Sequence, residues 1–103
     1  MKIIWSPLAV DQVSEIAGYI AQDKPSAAEN WIKTIFSKVS QLNFSPEMGR
    51  IVPEIANTQV RELIYGNYRI IYRIEMKQIF ILTIRHCIQI MPIKEIIEKL
   101  RGS

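Results

Sequence analysis

The chain has 103 residues, 49% hydrophobic and 22% charged, with a net charge of +3 and a calculated pI of about 9.2. Those values fit one domain over residues 1–103 with a core of its own, and they exclude wholesale disorder. The lone Cys87 excludes an internal disulfide and fits a reducing cytoplasm, while no apolar run approaches the ~18 residues of a membrane span.

Met1 to Val10 is broken by Pro7 and followed by Asp11, so no secretory signal is expected. Within it, Lys2-Ile3-Ile4-Trp5 reads as a short strand that must pair with a later sheet. Ser6-Pro7 is a helix start, with Ser as N-cap and Pro at the first helical position. Ala9, Val13, Ile16, Ala17 and Ile20 then recur at helical spacing. Gly18 interrupts that pattern, and close packing against a neighbouring helix would be a reason to keep it.

After a break at Gln22-Asp23-Lys24-Pro25, the run Ser26-Ala27-Ala28-Glu29 has the form of a capping box. A second helix follows, with Ala28, Ile32, Ile35, Val39 and Leu42 on one face and an end near Asn43. Trp5, Trp31 and Phe36 read as core. Phe44 to Asn57, with two prolines, a glycine and no period, reads as a loop.

Val60 to His86 is the most regular stretch. VRELIY, YRIIYRIE and IFILTIRH are separated by Gly66-Asn67 and by a short polar turn at Met76-Lys77-Gln78, the pattern of an antiparallel meander. In the middle strand Tyr68, Ile70, Tyr72 and Ile74 share one face, and Arg69, Ile71, Arg73 and Glu75 the other. Pro92 opens a short amphipathic helix over Ile93 to Leu100. The order is β-α-α-β-β-β with a short C-terminal helix, an α+β fold with a helical hairpin packed on an antiparallel sheet.

Charge is concentrated on that sheet. Arg61, Arg69, Arg73, Lys77 and Arg85 against Glu62 and Glu75 leave +3 there, equal to the net charge of the whole chain. Arg61, Arg69, Arg73 and Arg85 are therefore expected to form a basic sheet face that takes an anionic partner, since guanidinium groups bind carboxylate and phosphate through two parallel bonds. On that expectation Arg69→Ala weakens binding with little loss of fold. The plainer alternative is a solvated face whose arginines pair with Glu62 and Glu75. No His/Cys pattern calls for a metal, and nothing calls for a cofactor.

The opening IIWSPLAVDQVSEIAGYIA, PEMGR at Pro46 to Arg50, RELIYGNYRIIYRI at Arg61 to Ile74 and IFILTIRH at Ile79 to His86 carry a resemblance. In order and spacing the chain resembles, over nearly its whole length, the ParE/RelE superfamily of toxins from type II toxin–antitoxin systems, also called plasmid stabilisation proteins. The resemblance implies a RelE/ParE-like fold and a cytoplasmic protein that halts growth. It also implies a cognate antitoxin whose acidic or amphipathic C-terminal segment wraps the sheet and helices. RelE-like members cut messenger RNA on the ribosome; ParE-like members poison DNA gyrase.

Cutting RNA needs one group to take the 2′-OH proton, another to protonate the 5′-O, and cations around the phosphate. By resemblance Arg69 would hold phosphate, with Arg85 or His86 as a second polar group; His86 is the only histidine. RelE-like enzymes, however, carry lysines on the strand leading into the hairpin, where this chain has Val60 and Glu62. They also carry an arginine and then a tyrosine after the last strand, where it has Cys87-Ile88-Gln89-Ile90-Met91-Pro92. The resemblance is thus closer to ParE, a non-enzymatic action on gyrase. The alternatives are a RelE-like endonuclease and a degenerate member that only binds antitoxin.

Overall fold

A computed structural model describes residues 1–87, 96–98 and 100. Strand β1 (Lys2–Trp5) leads into helices α1 (Pro7–Asp23) and α2 (Pro25–Ser40). A 3-10 turn (Gln41–Asn43) follows, then strands β2 (Arg50–Ile51), β3 (Val60–Tyr65), β4 (Tyr68–Glu75) and β5 (Gln78–His86). The five strands form one sheet in the order β1-β5-β4-β3-β2. The meander is antiparallel as expected, but β1 lies parallel to β5, so the sheet is mixed. Among the described residues no helix is long and apolar enough to cross a membrane.

Both helices start where proline presets φ for the first turn. Ser6 caps α1 by accepting from the Ala9 N–H at 3.0 Å. The capping box expected for α2 does not form. Pro25 starts the helix one residue before Ser26, and the N-cap is Lys24, whose side chain makes no capping bond. A single residue therefore separates the two helices. They pack through Ala9, Val13, Ala17, Ala28, Trp31, Ile35 and Val39 onto the sheet face made by Leu63, Ile70, Tyr72, Ile79, Ile81 and Ile84. Trp31 is buried, but Phe36 is half exposed at the rim, its ring 4.9 Å from that of Trp5.

Gly18 departs from its expected role. A Cβ built there meets nothing within 4 Å, so no close helix contact requires glycine. Gly18→Ala is accordingly expected to stabilise the protein by about 0.5–1 kcal/mol, read as a raised thermal midpoint.

Where β1 ends, α1 takes over the exposed edge of β5. Leu82 is an extra residue in the β4–β5 ladder, since Ile71 faces Thr83 while Tyr72 faces Ile81. Ser6 bonds the bulge through Oγ to the Leu82 carbonyl at 2.8 Å. Gln12 Oε1 accepts from Thr83 Oγ1 and from the Ile84 N–H, at 2.9 and 2.7 Å. The bulge also lets Ile79, Ile81 and Ile84 all reach the helical layer despite their uneven spacing.

The sheet's second face is not solvated. Val60, Ile71 and Leu82 form a second cluster with Val52, with Ile55 of the β2–β3 connection, and with Ile96 and Leu100. Ile96, Ile97, Glu98 and Leu100 are helical; the rest of the expected C-terminal helix, with Pro92, lies outside the described residues. The molecule is thus layered as helical hairpin, sheet, and a cover made of a strap, the chain from 44 to 59, together with the helical residues at Ile96 to Glu98 and Leu100.

Candidate partner-binding site

The four arginines assigned to one exposed basic face do not form one. Cross-strand partners share a face. Arg61 stands opposite Tyr72, on the helix-facing side, whereas Glu62 stands opposite Ile71, on the second face with Arg69. At the rim Arg61 donates from Nη1 to the Gly49 carbonyl at 2.9 Å. Arg69, Arg73 and Arg85 do share the second face, Arg69 and Arg85 being direct partners. None of the three is open to water as expected, because the apolar cover crowds that face.

Arg69 is the centre of the arrangement and is only 8% exposed. Its Nε donates to Glu62 Oε1 at 2.6 Å, and Nη1 and Nη2 donate to the two oxygens of Glu54 at 2.7 and 2.9 Å. Glu62 has no exposed side-chain surface, and its second oxygen accepts from Arg50 Nε at 2.6 Å. Two carboxylates and two guanidinium groups thus form a neutral chain, Arg50–Glu62–Arg69–Glu54, from the edge strand to the strap. Burial of Glu62 is possible only because both of its oxygens are paired with cations. Arg73 lies over the Phe80 ring at 4.8 Å and pairs with Glu75 at 3.0 Å.

Arg69 holds the Glu54 carboxyl well below the ordinary range, at about 2, chiefly through its hydrogen bonds and against the opposing effect of burial. The guanidinium is raised in turn, chiefly by its bond to Glu54, and stays charged throughout. Because the folded value lies below the unfolded 4.5, this pair's stabilisation is present above pH 4.5 and is lost as pH falls toward 2. The urea midpoint should therefore fall over that window, and Glu54→Gln should flatten that part of the profile.

The candidates for RNA chemistry are not brought together. Arg85 and His86 are adjacent in a strand, so their side chains leave opposite faces of the sheet. His86 faces Tyr68 across the ladder, with rings 5.4 Å apart, and Tyr68 in turn packs edge-on to Trp31 of α2. Arg69 and Arg85 lie on the other side. Each of the three Arg69 guanidinium nitrogens already donates to a carboxylate.

The strap is fixed by residues that composition did not single out. Buried Tyr72 Oη donates to the Pro46 carbonyl at 2.7 Å and accepts from the Gly49 N–H at 3.0 Å. Burial pushes its phenol upward, so it remains a neutral donor. Glu54 lies in the aperiodic stretch before β3, and its one sequence signal is an acidic residue between Pro53 and Ile55, with Val52 beyond.

The family model described as the ParE toxin of the type II toxin–antitoxin system parDE matches residues 3–91. Among solved structures, the chromosomal ParDE toxin–antitoxin system from P. aeruginosa is similar with a TM-score of 0.68 at 24% identity, covering 84% of this chain and 95% of that chain. At that identity the likeness speaks for the fold. No curated protein matches. The family model spans the two helices and the sheet through β5, and so the chain belongs to the ParE toxin family of type II toxin–antitoxin systems.

Proposed function

We propose that this protein acts as a ParE-like toxin in the cytoplasm, binding DNA gyrase rather than cutting RNA, and is neutralised by an antitoxin segment rich in acidic and apolar residues. One observation supports the non-enzymatic reading above others. Arg69, the residue the nuclease alternative needs for phosphate, is 8% exposed and donates from all three guanidinium nitrogens to Glu62 and Glu54. His86 stands across the sheet from it. General acid–base cleavage needs its groups within hydrogen-bond reach of one reacting centre, and these are divided by a strand layer. The basic pI favours an acidic partner.

The test sets two assays side by side. Purified protein is expected to inhibit gyrase supercoiling or trap cleaved DNA while leaving ribosome-bound message intact in toeprinting. Cut message with unaffected gyrase would replace this reading with the RelE-like one. Inactivity in both would leave only the antitoxin-binding function.

A further inference from the structure

We infer that Glu54 is an internal stand-in for a partner's carboxylate, so that the strap and an acidic, amphipathic segment of a partner protein compete for the same guanidinium edge of Arg69. This rests on the antitoxin reading above for the nature of the partner, and it adds where and how that partner binds.

Arg69 has two sides with different surroundings. Its Nε is held from behind by Glu62, which has no exposed side-chain surface. Its Nη1–Nη2 edge points the other way, at Glu54, whose side chain is 33% exposed. A guanidinium braced at Nε and offering its fork outward is the geometry that receives a carboxylate through two parallel bonds. Here that carboxylate comes from the same chain.

The segment that supplies it is tied to the sheet at its ends, by the Val52 N–H on the Val60 carbonyl and the Ile74 N–H on the Gln59 carbonyl. Between those ends, residues 53–56 turn on two backbone bonds to the Val52 carbonyl, from Ile55 and Ala56, and make no backbone bond to the strands beside them. Ala56 has φ +54, a left-handed conformation that is strained for a residue with a Cβ. What keeps that middle stretch down is the Glu54–Arg69 pair together with Ile55 in the apolar cluster of Val52, Ile71 and Leu82. A carboxylate set between apolar side chains is therefore the pattern this surface already accepts.

Exchange with an outside segment of the same pattern replaces one bidentate pair by another, so the ionic gain and loss nearly cancel. Release of the Ala56 backbone and the apolar area of the incoming segment tip the balance. Phosphate fits less well, because nothing apolar accompanies it. The internal carboxylate lowers apparent affinity by the fraction of time it occupies the fork, and removing it restores that fraction.

The test uses the full chain and a short synthetic peptide in which glutamates alternate with leucines. Controls are the same peptide with glutamines in place of glutamates, and a short oligoribonucleotide. Glu54→Ala is expected to bind the glutamate peptide about tenfold or more tighter than the unsubstituted protein. No such gain is expected for the glutamine peptide. Arg69→Lys in the Glu54→Ala background keeps the charge but not the paired bonds and should abolish the gain. If Glu54→Ala is poorly folded, Glu54→Gln serves, with a smaller gain of the same pattern. In the unsubstituted protein, saturating peptide should move the Glu54 carboxyl titration, followed by NMR, from about 2 toward 4.5.

Equal affinity for the Glu54 variants and the unsubstituted protein would overturn the inference. So would an equal gain for the glutamine peptide, which would mean mere apolar exposure, or a larger gain for the oligoribonucleotide, which would mean a phosphate site. The assay contains no gyrase. A positive peptide result with inert gyrase rejects the gyrase target alone, and the reverse rejects the competition alone.

Discussion

Arg69→Ala is expected to destabilise the folded state by about 3–5 kcal/mol, seen as a lower urea midpoint at an unchanged slope. The size follows from what the substitution leaves behind. Glu62 has no exposed side-chain surface and would keep Arg50 on one oxygen while the other loses its partner inside the protein. Glu54 loses both of its bonds at the same time. The comparison variant is Arg50→Ala. The Arg50 side chain is 63% exposed, and its pair should contribute about 1 kcal/mol or less. Equal losses from the two variants would show that Glu62 is held by either cation, and that Arg69 is not the keystone of the chain.

This reverses the mild effect that strand alternation led one to expect for Arg69→Ala. Alternation correctly placed Arg69 and Arg73 opposite the Tyr68–Ile74 row, but it carries no information about what covers a face. The cover comes from a strap without period and from the helical turn at Ile96, both distant in sequence. Ile71, on the same face as Arg69 and fully buried, was the internal sign that this face is not solvated. A practical consequence follows for toxin–antitoxin work on this chain. Loss of function in an Arg69 variant reports on binding only when its stability has been measured beside it.

The helices and the meander were legible because each carries a strong period over many residues and ends at a proline or a tight turn. Strand β2 was not, since two residues cannot display an alternation; only its pairing with Arg61 and Glu62 reveals it. The capping box failed through competition, Pro25 fixing the first turn before Ser26 could serve as cap. Phe36 stands beside the apolar stripe in sequence, but at 44% exposure it lies past the stripe's edge, against Trp5. The ion chain was out of reach for a different reason. Glu62 and Arg69 are paired by the β3–β4 register, and register follows from a turn whose type the sequence only narrows.

Gly49→Ala should be nearly as damaging as a core substitution, at about 1–3 kcal/mol, although it adds only a methyl group. The added Cβ would stand 2.6 Å from the Glu62 carbonyl oxygen, 2.6 Å from Tyr72 Oη and 2.9 Å from Tyr72 Cε1. The first is backbone within a paired strand, and Tyr72 is fully buried, so neither can swing aside. Tyr72→Phe removes one of these contacts but also strips a bond from the Gly49 N–H and another from the Pro46 carbonyl, a loss of about 1–3 kcal/mol. The double variant should therefore lose less than the sum, by at least about 0.5 kcal/mol, because the ring hydroxyl is both anchor and obstacle. Strict additivity would place the clash on the Glu62 carbonyl and the aromatic ring carbon, with none on the hydroxyl. Since Gly49 immediately precedes Arg50, a shift at that point moves the start of the strap, and the Glu54–Arg69 pair should loosen with it. Gly49→Ala should thus raise the Glu54 titration from about 2 even in samples that remain folded.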